Sequence, residues 1–283
     1  MLILLSPAKT LDFETPLPKQ AQELELTKPA LMSRAAELVK VLQPMTAAEL
    51  ESLMGISPKL ASLNAERFSQ WSTRPKSGAV RPAVFAFNGD VYEGLQASSL
   101  TKAQLEDAQR RLRMLSGLYG VLRPMDAFQA YRLEMGTSLR GRAGGGRAAG
   151  KAFSSLYDYW GLQLVEAIGE ELAGLGSDPI VLNLASDEYF KAAQGLHKHQ
   201  VKGKPVQVIS PVFQDEKSGK YKVISFYAKR ARGLMARFVL QKRLVKPEQL
   251  QAFNLEGYCF DADASKPLQP VFRRTEASAK ALD

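Results

Sequence analysis

The chain opens on Leu2-Ile3-Leu4-Leu5, a continuous apolar run that Ser6-Pro7 stops at once. Four apolar residues without polar alternation read as a buried strand, which needs other elements packed around it. A second run, Pro179 to Leu184, reads the same way and follows a long helical pattern from Ser154 to Leu175. Neither run is a membrane segment, since no apolar stretch approaches ~18 residues. The first lacks the basic flank of a secretory signal. Across 283 residues, 45% hydrophobic and 24% charged content is an ordinary globular balance, which excludes wholesale disorder. The single Cys259 excludes a disulfide framework and a multi-cysteine zinc site. The expectation is a cytoplasmic, monomeric protein with no bound metal or cofactor.

Other elements follow from spacing. Leu31, Ala35, Leu38 and Leu42 recur at helical intervals up to Pro44. Thr46 with Glu49 forms a capping box for a helix to Met54, and Ser57-Pro58 starts another ending near Trp71. Ala83 to Phe87 reads as a strand, and Thr101 caps a helix to about Leu115. Pro205–Phe213 and Lys220–Tyr227 are β-rich runs joined by Asp-Glu-Lys-Ser-Gly, a hairpin in which Gly219 supplies a positive φ. A basic helix is expected from about Ala228 to Arg243, a short helix near Pro247–Phe253 and a strand at Tyr258–Phe260. The fold class is therefore α/β: one compact domain over 1–274, with a mixed sheet and many helices, and a disordered tail over 275–283.

The net charge of +9 is unevenly placed. Residues 101–151 carry 10 basic and 4 acidic groups, residues 152–190 carry 7 acidic and no basic ones, and residues 191–283 carry 18 basic and 8 acidic. Two basic blocks on a common face would attract a polyanion. Within the first, Arg110, Arg111 and Arg113 lead into Leu115-Ser-Gly117-Leu-Tyr-Gly120-Val-Leu-Arg123-Pro124. This reads as a helix-hairpin-helix, in which Gly117 and Gly120 let backbone N–H groups approach a DNA phosphate beside Arg113 and Arg123. A plain helix C-cap with basic residues on its dipole explains the same string. Within the second, Lys229, Arg230, Arg232 and Arg237 belong to six cations in fifteen residues. Phosphate contact, an anion pocket for a small substrate and a solvated helix face all remain open there.

Other strings carry less. Gly145 to Lys151 has the glycine and lysine spacing of a phosphate loop, but Ala152 replaces the magnesium-binding hydroxyl and no strand enters it. His197 and His199, the only histidines, flank Lys198 on a polar loop without other ligands. Lys9, after the first strand, and Asp187, after the strand at 179–184, are candidates for a nucleophile and its base. Sequence alone does not say whether their loops meet.

Several strings together are similar to the bacterial YaaA family: Ser-Pro-Ala-Lys-Thr-Leu-Asp (6–12), Phe87-Asn-Gly-Asp-Val-Tyr-Glu-Gly-Leu95, Leu112 to Pro124, Tyr131-Arg-Leu-Glu-Met-Gly136, Asn183-Leu-Ala-Ser-Asp-Glu-Tyr-Phe190 and Ile224 to Met235. The resemblance runs in order from Met1 to about Arg273. It implies a cytoplasmic protein of the peroxide-stress response, linked to limiting intracellular free iron. It also implies one α/β domain with a helix-hairpin-helix and a basic DNA-binding cleft, contacting DNA with little sequence preference. The Gly/Ala/Arg segment at 141–150 departs from the family in length. The other readings are an enzyme acting on damaged DNA through a lysine nucleophile, lyase- or glycosylase-like, and an iron-handling protein using carboxylates such as Asp187 and Glu188.

Overall fold

Strand β1 (Leu2–Leu5) is buried along its whole length in the computed structural model, at the centre of a five-stranded sheet. The structure describes residues 1–76, 78–139, 147–148, 151–176 and 178–281. On one side β1 pairs in parallel with β2 (Leu112–Ser116), Ile3 opposite Leu112. β2 then turns back antiparallel into β3 (Gly120–Leu122). On the other side β1 pairs in parallel with β4 (Ile180–Leu184), Leu2 opposite Val181, and β4 with β5 (Gln207–Ile209). The sheet order is β5-β4-β1-β2-β3. The chain thus builds outward from β1 in one direction, then crosses back to build in the other. Between β1 and β4 the strand order reverses.

The helices follow their local signals closely. α1 (Met32–Leu42) buries Ala35, Leu38 and Leu42. In α2 (Ala47–Met54) Thr46 and Glu49 make the expected capping box, and in α3 (Pro58–Gln70) Ser57 accepts from the Leu60 N–H. α6 (Leu156–Ala173) is capped by Ser155 and kinked where Gly161 takes φ +42°. Between α3 and α6 come α4 (Asp90–Leu95) and α5 (Lys102–Arg111). α7 (Asp187–Phe190) is a single turn leaving β4, and α8 (Ser225–Gln241) carries the second basic block. α8 lies backbone-to-backbone on α4, because a β-carbon at Gly94 would land on the Arg230 carbonyl and one at Gly233 on that of Val91.

A second sheet has the order β7-β6-β9-β8, from β6 (Val212–Lys217), β7 (Lys220–Lys222), β8 (Cys259–Lys266) and β9 (Gln269–Arg274). The expected hairpin is β6–β7, but Asp215, Glu216 and Lys217 belong to the strand. The turn is therefore only Ser218-Gly219, both at positive φ (54° and 72°). Behind it Tyr258 Oη donates to Asp215 Oδ2 at 2.8 Å and Arg274 Nε to Asp215 Oδ1 at 2.6 Å, so both oxygens of this buried carboxylate are met. One apolar core runs from Met1 to Phe272 and joins both sheets.

The run Lys220–Tyr227, expected as β throughout, is strand only to Lys222, and α8 starts at Ser225 rather than Ala228; three further local expectations differ from the structure. Ala83–Ala86 is a helical turn that buries Ala83, Val84 and Ala86; a run of Ala and Val at this length fits either state. Glu276–Lys280, expected as irregular tail, is a short helix capped by Thr275. The third is the helix-hairpin-helix. α5 ends at Arg111, and Leu112 to Leu122 is a β-hairpin with Met114 opposite Leu122 and Ser116 opposite Gly120. Parallel pairing of Leu112–Met114 with β1 overrides the helical spacing that continued to Leu115. Most of the Gly/Ala/Arg segment 141–150, and with it the phosphate-loop-like string, lies outside the described residues.

Candidate functional site at the carboxyl ends of the parallel strands

Open α/β sheets bind ligands outside the carboxyl ends of their strands, in the crevice where strand order reverses. Here that crevice lies between the loops leaving β1 and β4, and the two loops are tied together. Ser6 Oγ accepts from the Ser186 backbone N–H at 2.8 Å and donates to Ser186 Oγ at 3.2 Å. The buried Tyr92 hydroxyl donates to the Ser6 carbonyl at 3.0 Å. Beyond Lys9, Thr10-Leu11 pairs antiparallel with Phe87-Asn88. The Pro7-Ala8-Lys9 loop is thereby anchored at both ends. On β4 the Asn183 side chain donates to Ser210 Oγ at 3.2 Å, joining the end of β5 to the same edge.

A third segment completes the crevice. From Tyr131 to Met135 burial alternates: Tyr131, Leu133 and Met135 face the core, Arg132 and Glu134 face outward. Glu134 Oε2 meets Lys9 Nζ at 2.9 Å, and its Oε1 accepts from Arg132 Nη2 at 3.0 Å. Lys9 is 66% exposed and Glu134 28%. A narrow cavity beside this pair is lined by Pro7, Phe87, Tyr131, Arg132 and Tyr189 among others. Burial raises the Tyr131 and Tyr189 phenols far above the usual tyrosine range, so both stay neutral hydrogen-bonding groups. Five of the strings that carry the family resemblance end at this edge or pack against it: 6–12, 87–95, 131–136, 183–190 and 224–235.

Lys9 and Asp187 come to the same edge, but the carboxylate on Lys9 is Glu134. Asp187 is exposed at the first position of α7 and faces Arg232 of α8, a half-buried guanidinium without a hydrogen-bond partner among the described residues. Desolvation lowers the Arg232 pKa and the Asp187 charge opposes that shift. Glu188 Oε1 accepts from the Gly136 N–H at 3.0 Å. Among the described residues no three His, Cys, Asp or Glu side chains are grouped to hold a metal.

The expected DNA contacts divide. Gly117 and Gly120 lie in the buried turn of the β2–β3 hairpin. A β-carbon on Gly117 would strike the Leu133 carbonyl, and one on Gly120 (φ +70°) the Trp160 ring; the Gly117 carbonyl accepts from Trp160 Nε1 at 3.0 Å. Both glycines face the core, where the Trp160 ring and the Leu133 carbonyl occupy the space a phosphate would need. Arg113 is also buried, donating to Glu171 Oε2 and to the carbonyls of Gln109 and Leu112. Arg230 is held by Glu256, with Nη2 2.6 Å from Oε1, which raises its pKa. Arg237 donates to Gln96 Oε1. Lys229 is exposed and has no ion-pair partner among the described residues, one helical turn before Arg232.

Arg113 and Arg123 nevertheless meet. With Arg110, Arg111 and Arg243 they line one open cavity of about 660 Å³ near the amino end of β2, in which Asp107 and Glu171 are the only lining carboxylates. Asp107 holds both Arg110 (2.9 Å) and Arg111, and Asp126 holds Arg123 at 2.9 Å. Arg110 is 72% exposed, and Arg243 is exposed without an ion-pair partner among the described residues. The sequence reading passed over Arg110, Arg111 and Arg243 in this role, although the triplet 110–113 was visible as a cluster. It also passed over Arg132 and Glu134, whose signal is two charges alternating with large apolar residues.

Residues 1–264 match the family model described as peroxide stress protein YaaA, which takes in the five-stranded sheet, the crevice and the arginine groove and ends before β9 of the second sheet. The chain belongs to that family of peroxide stress proteins.

Proposed function

We propose that this peroxide-stress protein holds DNA through phosphate contacts in the arginine groove, with little preference for sequence. The observation that carries the reading is the set of five arginines around one open cavity against two carboxylates. A cleft of one sign of charge between low-dielectric walls focuses its field and draws in a polyanion. Arg113 shapes the groove from within, while Arg243, and Arg110, which is 72% exposed although Asp107 contacts it at 2.9 Å, are the cations placed to reach phosphate oxygens. Salt-bridged Arg111 and Arg123 hold the walls. Guanidinium groups suit this task, since their planar donors fit phosphate oxygens in pairs. No base-reading element is required, which matches contact with DNA of unrelated sequence.

Titration of unrelated duplexes at several salt concentrations tests the proposal. Each phosphate contact removed lowers the log–log salt slope by about 0.9 on duplex DNA. Arg110→Glu with Arg243→Glu is expected to lower both affinity and slope on every duplex. A folded double variant with unaltered affinity would remove the groove from the DNA site.

A further inference from the structure

We propose that the arginine groove takes a terminal phosphate monoester with its nucleoside, in preference to the phosphodiesters along a duplex. The inference rests on the reading of the groove as the phosphate site and narrows which phosphate it holds.

Charge comes first. Arg110, Arg111, Arg113, Arg123 and Arg243 line the cavity together with Asp107 and Glu171, and buried Asp126 holds Arg123. Five cations against three carboxylates leave two positive charges. A phosphodiester carries a single negative charge. A monoester, whose second ionisation lies near pH ~6, carries close to two at neutral pH. The uncompensated charge matches the monoester.

Size and depth point the same way. A volume of about 660 Å³ falls within the roughly 300–1,000 Å³ of sites that hold one small molecule. Arg113 lines the cavity although it is only 4% exposed, so the cavity reaches beneath the surface. The end of a strand, or a free nucleotide, enters such a recess; a phosphate flanked by duplex on both sides stays at its rim. Leu175 and exposed Val245 line the same space and offer an apolar surface to the sugar or base.

The backbone at Arg243 is the third observation. α8 ends in a Schellman turn, in which the Leu244 N–H donates to the Val239 carbonyl at 3.0 Å and the Arg243 N–H to that of Leu240 at 3.3 Å. Arg243 takes φ +52°, a left-handed position where glycine is the unstrained residue. Arg111 Nη1 donates to the Leu244 carbonyl at 2.6 Å, which fixes this turn to the groove. An arginine here keeps the strain and gains no ion pair among the described residues, yet it lines the cavity. Strain retained at a cavity wall, with no internal bond to compensate it, points to a side chain that serves a ligand.

The test compares two pairs of probes on the full-length protein at one salt concentration. The first pair is a duplex whose recessed 5′ end carries a phosphate or a hydroxyl; the second, read by calorimetry, is 2′-deoxyadenosine 5′-monophosphate or 2′-deoxyadenosine. The expected result is about 10-fold tighter binding of the phosphorylated member in at least one pair, the weight of one further charge-assisted hydrogen bond. The pair that shows the preference identifies the source, a DNA end or a free nucleotide. Arg243→Gly should abolish the preference without lowering the thermal midpoint, since glycine suits the turn. Equal binding within both pairs, or a preference undiminished in Arg243→Gly, overturns the proposal. Should both duplexes bind equally, with a salt slope that Arg110→Glu with Arg243→Glu lowers, and the nucleotide pair show no preference, the general DNA reading stands and this inference falls. Nucleotide preference without binding of either duplex leaves this inference standing and removes the DNA reading.

Discussion

Ser6 Oγ lies 2.8 Å from the Ser186 backbone nitrogen, tying together two loops separated by 180 residues of sequence. Neither loop could define a site alone. β1 ends after Leu5 with only Ser6-Pro7 to direct the chain, and β4 ends in the single turn of α7. The hydroxyl joins them at the strand-order reversal, and Lys9, Asp187 and Arg232 are gathered there as a consequence.

Ser6→Ala should therefore cost stability as well as order. It leaves the Ser186 N–H without an acceptor in a half-buried place, a loss of about 1–3 kcal/mol. Urea denaturation is expected to show a lower midpoint with an unchanged m-value, since the surface exposed on unfolding stays the same. A stability equal to that of the native chain would mean the two loops are held by other contacts.

Gly120→Ala separates a structural turn from a DNA-contacting one. At φ +70° an added β-carbon is strained, and here it also meets the Trp160 ring and Leu31. The expected loss is about 1–3 kcal/mol, read as a fall in thermal midpoint. DNA affinity of the folded fraction should not change, because Trp160 and Leu31, rather than solvent, face this position.

These two positions also show what the sequence made legible. The buried β1 and β4, the capping box at Thr46, the cap at Thr101 and the hairpin with Gly219 in its turn are local signals, and the structure carries each of them. The 112–122 segment failed because its apolar residues satisfy helix and strand spacing alike. Pairing with Ile3 to Leu5, more than a hundred residues earlier, decides between them. Candidate site residues failed for a related reason. Charge clusters are visible in sequence, but the Glu256 that holds Arg230 and the Glu171 that holds Arg113 are distant in the chain. Lys9 and Asp187 were recognisable as strand-end residues; Glu134 as the partner of Lys9 was not.

Alkaline pH should unfold the protein through its buried tyrosines. Burial raises Tyr119 to about 12, against a model-compound value of 10.0, even though Trp71 Nε1 donates to its oxygen. Above pH 10 the unfolded chain loses this proton while the folded one keeps it, so stability present below 10 falls as pH rises through 10 to 12. The slope is about 1.4 kcal/mol per pH unit for each such tyrosine. Tyr92 and Tyr131 are shifted in the same direction. Absorbance at the phenolate band, followed with circular dichroism, should show these groups ionising together with unfolding. Ionisation well below the unfolding pH would contradict their burial.

The cations of α8 and of the turn after it can be sorted by what already holds them. Arg230 donates to both oxygens of Glu256 and lies 3.7 Å from Glu93. Its charge is cancelled locally, and it is far less available to a phosphate than Lys229 or Arg243. Arg230→Ala is expected to lower stability by about 1 kcal/mol at most, given its partial exposure, and to leave the salt slope of DNA binding unchanged. Arg243→Glu, which breaks no ion pair, should do the reverse: stability unaltered, slope and affinity reduced. Measuring thermal midpoint and salt-dependent affinity on both variants gives four numbers and one consistent pattern. If Arg230→Ala lowers the salt slope and Arg243→Glu does not, phosphate contact belongs to the α4-facing side of α8, and the arginine groove is a structural ion-pair network.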